Sequence, residues 1–178
     1  MSLSSGSMDF SRLYLMSSKD LDSEKFYDAL DSDFSNIHSY YPICNSELES
    51  KKKSDMIPIC KKYLRFLDKS EFWGSTRNEY DVSLLLNYWL YDKLNDLFGA
   101  INTIEIEIGF GALQYIWAYN EKNQTHKPYY QKLKPNINIF KEPDWEKRKQ
   151  LYEYYVDFDT LFKYAIIYDN YCEKYYKN

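Results

Sequence analysis

The chain has two histidines, His38 and His126, far apart in sequence and each among ordinary polar or aromatic neighbours. Neither falls in an HExxH-type pattern, where two imidazoles on one helix face hold zinc, so both read as surface or loop residues. Asp157 and Asp159 lie two apart, a spacing that sends side chains to diverging faces of a helix. Helix capping suits them better than general acid–base work. Gly109 and Gly111 (GFG) are too sparse for a phosphate cradle, and no GxSxG or DxDxDG pattern occurs. Cys44, Cys60 and Cys172 are too few and too scattered for a zinc site. They leave two readings. In a protein exposed outside the cell, a Cys44–Cys60 bridge closes a loop of about 16 residues and contributes about 3 kcal/mol. Otherwise all three are reduced core thiols; an odd count leaves at least one unpaired. No catalytic, cofactor-binding or metal-binding residue emerges, and the residues make no case for an enzyme.

The elements must then be read for what they hold. A chain of 178 residues predicts one domain, and its 20 Tyr, 10 Phe and 4 Trp supply a large apolar payload. Tyrosine suits a small helical protein because its ring packs inward while its hydroxyl reaches the rim. The 19 Lys against 4 Arg, the 12 Asn and the scarcity of Gly, Ala and Pro also fit AT-rich codons. Coding bias and selection for aromatic surfaces are alternative accounts of the tyrosines. A net charge of −4 argues against a nucleic-acid binder, which needs a cationic face. Lys51-Lys52-Lys53, following Glu47 and Glu49, reads as a solvated segment.

Residues 1–17 read as a flexible leader. Its longest apolar run, Leu13–Met16, is too short for a signal-peptide core, and no stretch reaches the ~20 apolar residues of a membrane span. From 18 to 178 the pattern predicts an all-α fold, a single compact multi-helix domain with a long proline-bearing loop. Ser23 caps a helix carrying Phe26, Ala29 and Leu30; Asp55 opens another with Pro58 in its first turn. A third runs from about Glu79 to Phe98, and Gly99 sits where a left-handed terminal residue belongs. Ile104, Ile106 and Ile108 alternate as in a strand. Ile108, Ala112, Tyr115, Ile116 and Tyr119 follow helical spacing, and no partner strand exists, so this segment is read as helix. Residues 120–143 form a polar loop, long enough to suggest function. Pro143 then opens a last helical region with Trp145, Leu151, Tyr152, Tyr155, Leu161, Phe162, Tyr168, Cys172 and Tyr175 on its periodic positions.

Two segments, Leu84–Leu94 (LLLNYWLYDKL) and Asp144–Tyr176 (DWEKRKQLYEYYVDFDTLFKYAIIYDNYCEKYY), resemble the Plasmodium interspersed repeat family, most closely its vivax interspersed repeat branch. The resemblance runs from about Cys44 to the C-terminus and is weakest over 101–142. Ser83 stands where the family often has a cysteine, while Cys172 keeps one of the family's cysteines.

The resemblance implies a helical ectodomain whose transmembrane segment lies outside this fragment, exported to the infected erythrocyte and displayed at its surface membrane. It further implies a variant antigen serving immune evasion and, for some members, adhesion. A host-cell receptor or an antibody is then the expected partner, with no nucleic acid and no cofactor. Tyr88, Trp89, Trp145, Tyr155 and Phe162 are expected to be shared core. Binding is expected on the 120–143 loop, through Asn123 (in the sequon Asn123-Gln124-Thr125), Tyr129, Tyr130, Lys132 and Lys134. On that reading the loop can be deleted with little effect on thermal unfolding. The competing class is an intracellular structural or trafficking protein, favoured by the absent signal peptide and by reduced thiols.

Overall fold

The computed structural model describes residues 20–32, 36–69, 80–121 and 128–176, with side chains up to Ile166. Among the described residues six α-helices run in chain order: α1 (Asp22–Asp31), α2 (Tyr41–Glu47), α3 (Lys53–Asp68), α4 (Val82–Phe98), α5 (Thr103–Glu121) and α6 (Trp145–Tyr176). Three 3-10 turns, Ile37–Tyr40, Pro128–Leu133 and Ile137–Phe140, lie between them. No strand occurs among the described residues. The fold is the all-α domain that the periodicity predicts. The leader, the sequon with Asn123, His126 and the Cys172 side chain lie outside what the structure describes.

Helix α4 is the centre. Asp81 caps it, its carboxylate accepting from the Ser83 amide at 2.9 Å. Val82, Leu85, Leu86, Tyr88, Trp89, Leu90, Leu94 and Phe98 are buried around most of its circumference, as befits a helix enclosed by neighbours. It ends at Gly99 with φ +85°, a conformation that favours glycine.

Helix α5 packs on α4 through Gly109. A Cβ there would lie 2.9 Å from Leu94 Cδ2, so the missing side chain sets the spacing of the two helices. The period was legible, but the face is rotated. Ile106, Phe110, Leu113, Ile116 and Trp117 are buried, whereas Ile108, Tyr115 and Tyr119 are exposed.

Helix α3 begins at Lys53, two residues before the expected Asp55, so Pro58 falls in its interior rather than its first turn. It buries Met56, Ile59, Cys60, Tyr63, Leu64, Phe66 and Leu67. Cys60 is bonded to Cys44 of α2, with sulfurs 2.07 Å and Cα atoms 6.0 Å apart, and both residues are fully buried.

Helix α1 is short, and other helices satisfy its ends. Ser23 is not its cap but lies inside the first turn. Its amide and hydroxyl donate to the buried Asp157 carboxylate at 2.8 and 2.6 Å. At the other end Arg65 donates to the carbonyls of Ala29, Leu30 and Ser32, and Lys62 to that of Asp31. A carboxylate at the N-terminus and cations at the C-terminus also oppose the helix dipole. Phe26 and Leu30 face the core, but Ala29 is exposed.

Helix α6 is one uninterrupted helix of 32 residues, roughly 48 Å long. It starts at Trp145, just past Pro143, and neither Asp157 nor Asp159 breaks it. Of its described side chains only Val156 and Asp157 are buried. Tyr88 and Trp89 are core as expected, whereas Tyr155 and Phe162 are each 55% exposed and Trp145 is half-buried. The second aromatic segment is therefore not the inward stripe that its spacing suggested. One face of a long amphipathic helix meets α1, and much of its aromatic content lies on the other.

Candidate functional site

The stretch from Pro128 to Phe140 is a strap laid across α4 and α5, not a loose polar loop. Helix α5 runs on to Glu121 and α6 starts at Trp145, so the connection spans 122–144 rather than 120–143. Tyr130 and Leu133 are buried. The Tyr130 ring stacks on Trp117 with centroids 5.5 Å apart. Its hydroxyl donates to the Trp117 carbonyl at 2.9 Å, while the Trp117 indole donates to the Tyr130 carbonyl at 3.2 Å. Tyr130 is thus an anchor; placing it among exposed binding residues was wrong, because its hydroxyl finds a partner inside the fold. Tyr63, fully buried on α3, donates to the Leu133 carbonyl at 2.8 Å, and Gln114 donates to that of Pro135 at 2.6 Å.

Asn87 makes the remaining tie. It sits in the middle of the LNYW run and is buried; its Oδ1 accepts from the Asn136 amide at 2.7 Å, and its Nδ2 donates to the Ser83 carbonyl. The sequence did carry a signal for this residue: an amide inside an apolar helix run must find buried partners. Phe140 closes the strap, stacked on Tyr91 at 4.1 Å and edge-on to Trp145 at 5.2 Å. Deleting this segment would remove core, so the expectation of an unchanged unfolding curve does not hold.

What remains outward is narrower than the predicted site. Lys132 and Lys134 are exposed, with their ammonium groups over the rings of Tyr129 (5.6 Å) and Trp117 (5.5 Å). Tyr129 is half-buried, and burial together with the charge of Asp81 pushes its hydroxyl up to about 12. Beside the two lysines runs an open groove of about 570 Å³, lined by Asp81, Ser83, Asn87, Gln114, Gln131 and Asn136 among others. Amides, hydroxyls and cations of this kind hydrogen-bond a polar surface, and no nucleophile–base pair is arranged among them.

A second charged cluster is half-buried. Tyr27 donates to Glu153 at 2.8 Å, and Lys149 bridges Asp92 (2.6 Å) and Glu153 (3.8 Å). Burial raises the Glu153 carboxyl, against the opposing hydrogen bond from Tyr27 and the charge of Lys149. This network ties α1, α4 and α6 together. His38 is exposed and remote from it, and no group of three metal-ligating side chains exists among the described residues. No described helix is long and apolar enough to cross a membrane.

A bundle of helices, six among the described residues, tied by a disulfide and by charges that serve helix ends, defines a helical scaffold. The model of the Plasmodium vivax Vir protein family matches residues 21–178. The chain belongs to that family, a family of Plasmodium variant antigens. The match reaches further than the motif resemblance and takes in all of α1. No curated protein and no solved structure matches the chain.

Proposed function

We propose that this domain is displayed on the infected red cell and serves immune evasion, with adhesion to a host receptor carried by the outer face of the strap. The observation that carries the surface reading is the buried Cys44–Cys60 bridge. Disulfides persist in oxidising surroundings and are rare in cytosolic proteins, which fits exposure to plasma better than an internal trafficking role. Family membership supports the antigenic part of the reading. For adhesion, the division of labour in the strap is the support. Tyr130 and Leu133 hold it down, which leaves Lys132, Lys134 and the edge of Tyr129 free to change without disturbing the core.

Antibody staining of intact infected cells tests display, and signal only after permeabilisation would refute it. For adhesion, the paired substitution Lys132→Glu and Lys134→Glu keeps the anchors. Binding to receptor-bearing cells should drop at least about tenfold, while loss of the two cation–π contacts, about 0.5–1 kcal/mol each, lowers Tm by only a few degrees; unaltered binding removes the strap from the proposal.

A further inference from the structure

The groove beside the strap does not end at the two lysines. Its hollow of about 570 Å³ adjoins a second of about 470 Å³, and Leu84, Asn136, Asn138 and Ile139 line both. Each alone falls in the ~300–1,000 Å³ range of small-molecule sites, so the pair accepts a chain of units rather than one. The two hollows differ in chemistry. The first presents carboxamides whose hydrogen-bonding capacity the fold does not use up. Gln114 donates through Nε2 to the Pro135 carbonyl, which leaves Oε1 open among the described residues. Asn136 accepts from the Asn138 amide through Oδ1, which leaves Nδ2 open in the same way. The Asn138 side chain is exposed and bonds to none of the described residues. The second hollow is walled by Trp145, Tyr152, Ile139 and Leu84. The ridge they share is fixed before any ligand arrives, because the buried Asn87 of α4 holds the Asn136 amide at 2.7 Å.

Charge gives the groove a direction. Lys132 and Lys134 flank its polar hollow, and neither has an ion-pair partner among the described residues. Asp81, the carboxylate in the same hollow, is taken up by the Ser83 amide and the Tyr129 hydroxyl. Arg148, at the far hollow, is paired with Asp144 at 2.9 Å. We infer, on the reading of the strap as the adhesive face, that the groove binds an oligosaccharide, with an acidic sugar against Lys132 and Lys134 and a neutral ring against Trp145 and Tyr152. Sugar hydroxyls both donate and accept, so they match open amide nitrogens and open amide oxygens alike. A pyranose also has an apolar C–H face that lies on aromatic rings. Its carboxylate takes charge-assisted hydrogen bonds from ammonium groups. An extended peptide fits less well, because it pairs along a strand edge and no strand occurs among the described residues.

NMR titration of the full chain with sialyllactose, beside lactose and an oligoglutamate peptide, is the test. Sialyllactose should bind with a Kd of about 1 mM or tighter, and lactose at least about threefold more weakly. Lys132→Glu with Lys134→Glu should weaken sialyllactose about tenfold and leave lactose unchanged. Asn138→Ala should weaken both sugars about threefold to tenfold, the loss of one hydrogen bond. Asn138→Trp, which fills the point where the hollows meet, should abolish both. Each variant at 138 should melt within about 2 °C of the parent, since this side chain holds nothing in the fold. No binding at about 10 mM, binding that survives Asn138→Trp, or oligoglutamate bound as tightly as sialyllactose overturns the inference. Sialidase treatment of receptor-bearing cells separates the two readings. Adhesion that is lost in the lysine variant yet survives removal of the acidic sugar overturns the oligosaccharide and leaves adhesion standing. Sialyllactose held in the groove of a domain that adheres to no cell overturns adhesion and leaves the oligosaccharide standing.

Discussion

Replacing Gly109 with alanine sets two effects of known sign against each other, and the neighbouring Gly111 supplies the control. Both glycines lie inside α5, where alanine is favoured over glycine by about 0.8–1.0 kcal/mol. Position 111 is exposed, and a Cβ there meets nothing within 4 Å. Gly111→Ala should therefore realise the whole gain. Position 109 faces α4. Its new Cβ would lie 2.9 and 3.2 Å from the two methyls of Leu94 and 3.3 Å from Phe98 Cε2, all inside the ordinary ~3.5–4.0 Å carbon contact. Leu94 is fully buried, so the helices must separate or the side chain must leave its rotamer. Overpacking of this kind costs about 1–3 kcal/mol, which offsets or exceeds the helix gain. The expected net change is about 0–2 kcal/mol of destabilisation at 109, against about 1 kcal/mol of stabilisation at 111. For a domain of this size 1 kcal/mol moves Tm by about 2–4 °C, so the two variants should melt at least about 2 °C apart. Far-UV circular dichroism melts read this directly. Leu94→Val, which removes one methylene from the contact, should lower the penalty at 109 and leave the gain at 111 untouched. Equal rises in Tm for both alanine variants would refute the claim that Gly109 sets the α4–α5 spacing.

Two further outcomes follow from the ties between helices. Replacing both Cys44 and Cys60 with alanine should cost about 3 kcal/mol, because the bridge closes a loop of 16 residues in the unfolded chain. Urea unfolding of the variant beside the oxidised parent measures it, and matching midpoints would show that the bridge adds nothing. Asp31 governs part of the acid limb: burial works to raise its carboxyl, but the hydrogen bond and charge of Lys93, with help from Trp89 and Lys62, leave it below the usual 3.8. A carboxyl held lower in the folded state than in the unfolded one adds stability above its unfolded value and loses it as pH falls through the folded value. Asp31→Asn should therefore be less stable than the parent at neutral pH, with the gap closing as pH falls below the ordinary 3.8 of this carboxyl; a gap constant with pH would disprove the role of this charge.

How much of this was legible depended on how each element meets its neighbours. The LLLNYWLYDKL run was readable because a helix enclosed on most sides shows its burial in composition alone, with no need to choose a face. Helix α5 required that choice. Hydropathy ranks Ile108 above Gly109, yet contact is made where the smallest residue lets two backbones approach. The pattern therefore gave the correct period, but of its residues only Ile116 and Ala112 turn toward the core, while Ile108, Tyr115 and Tyr119 lie outward. Helix α6 misled for a related reason. Aromatics recur on its outward side, while its inward side includes Lys149, Glu153 and Asp157, which are polar because they serve other elements. Tyr130 was misread as a surface group because its partner Trp117 lies in a different helix, and a Tyr-Tyr pair in a proline-bearing stretch carries no mark of which ring turns inward.

The charges that hold the helix ends explain how such a domain tolerates a changing exterior. Helix α1 has ten residues, too few to be stable alone in water, and its ends are met by Asp157 at one side and by Arg65 and Lys62 at the other. Tyr152 adds a similar tie, its hydroxyl accepting from the Asp81 amide and donating to the Asp81 carbonyl, both at 2.8 Å. Each of these contacts ends on backbone, or on a side chain that itself serves a helix end. Substitution at exposed positions between them leaves every such tie in place. The strap repeats the arrangement, because Gln114, Tyr63 and Asn87 grip its backbone rather than its outward side chains. A scaffold held by backbone contacts places few demands on what its surface displays, which is the property a family of variant antigens requires.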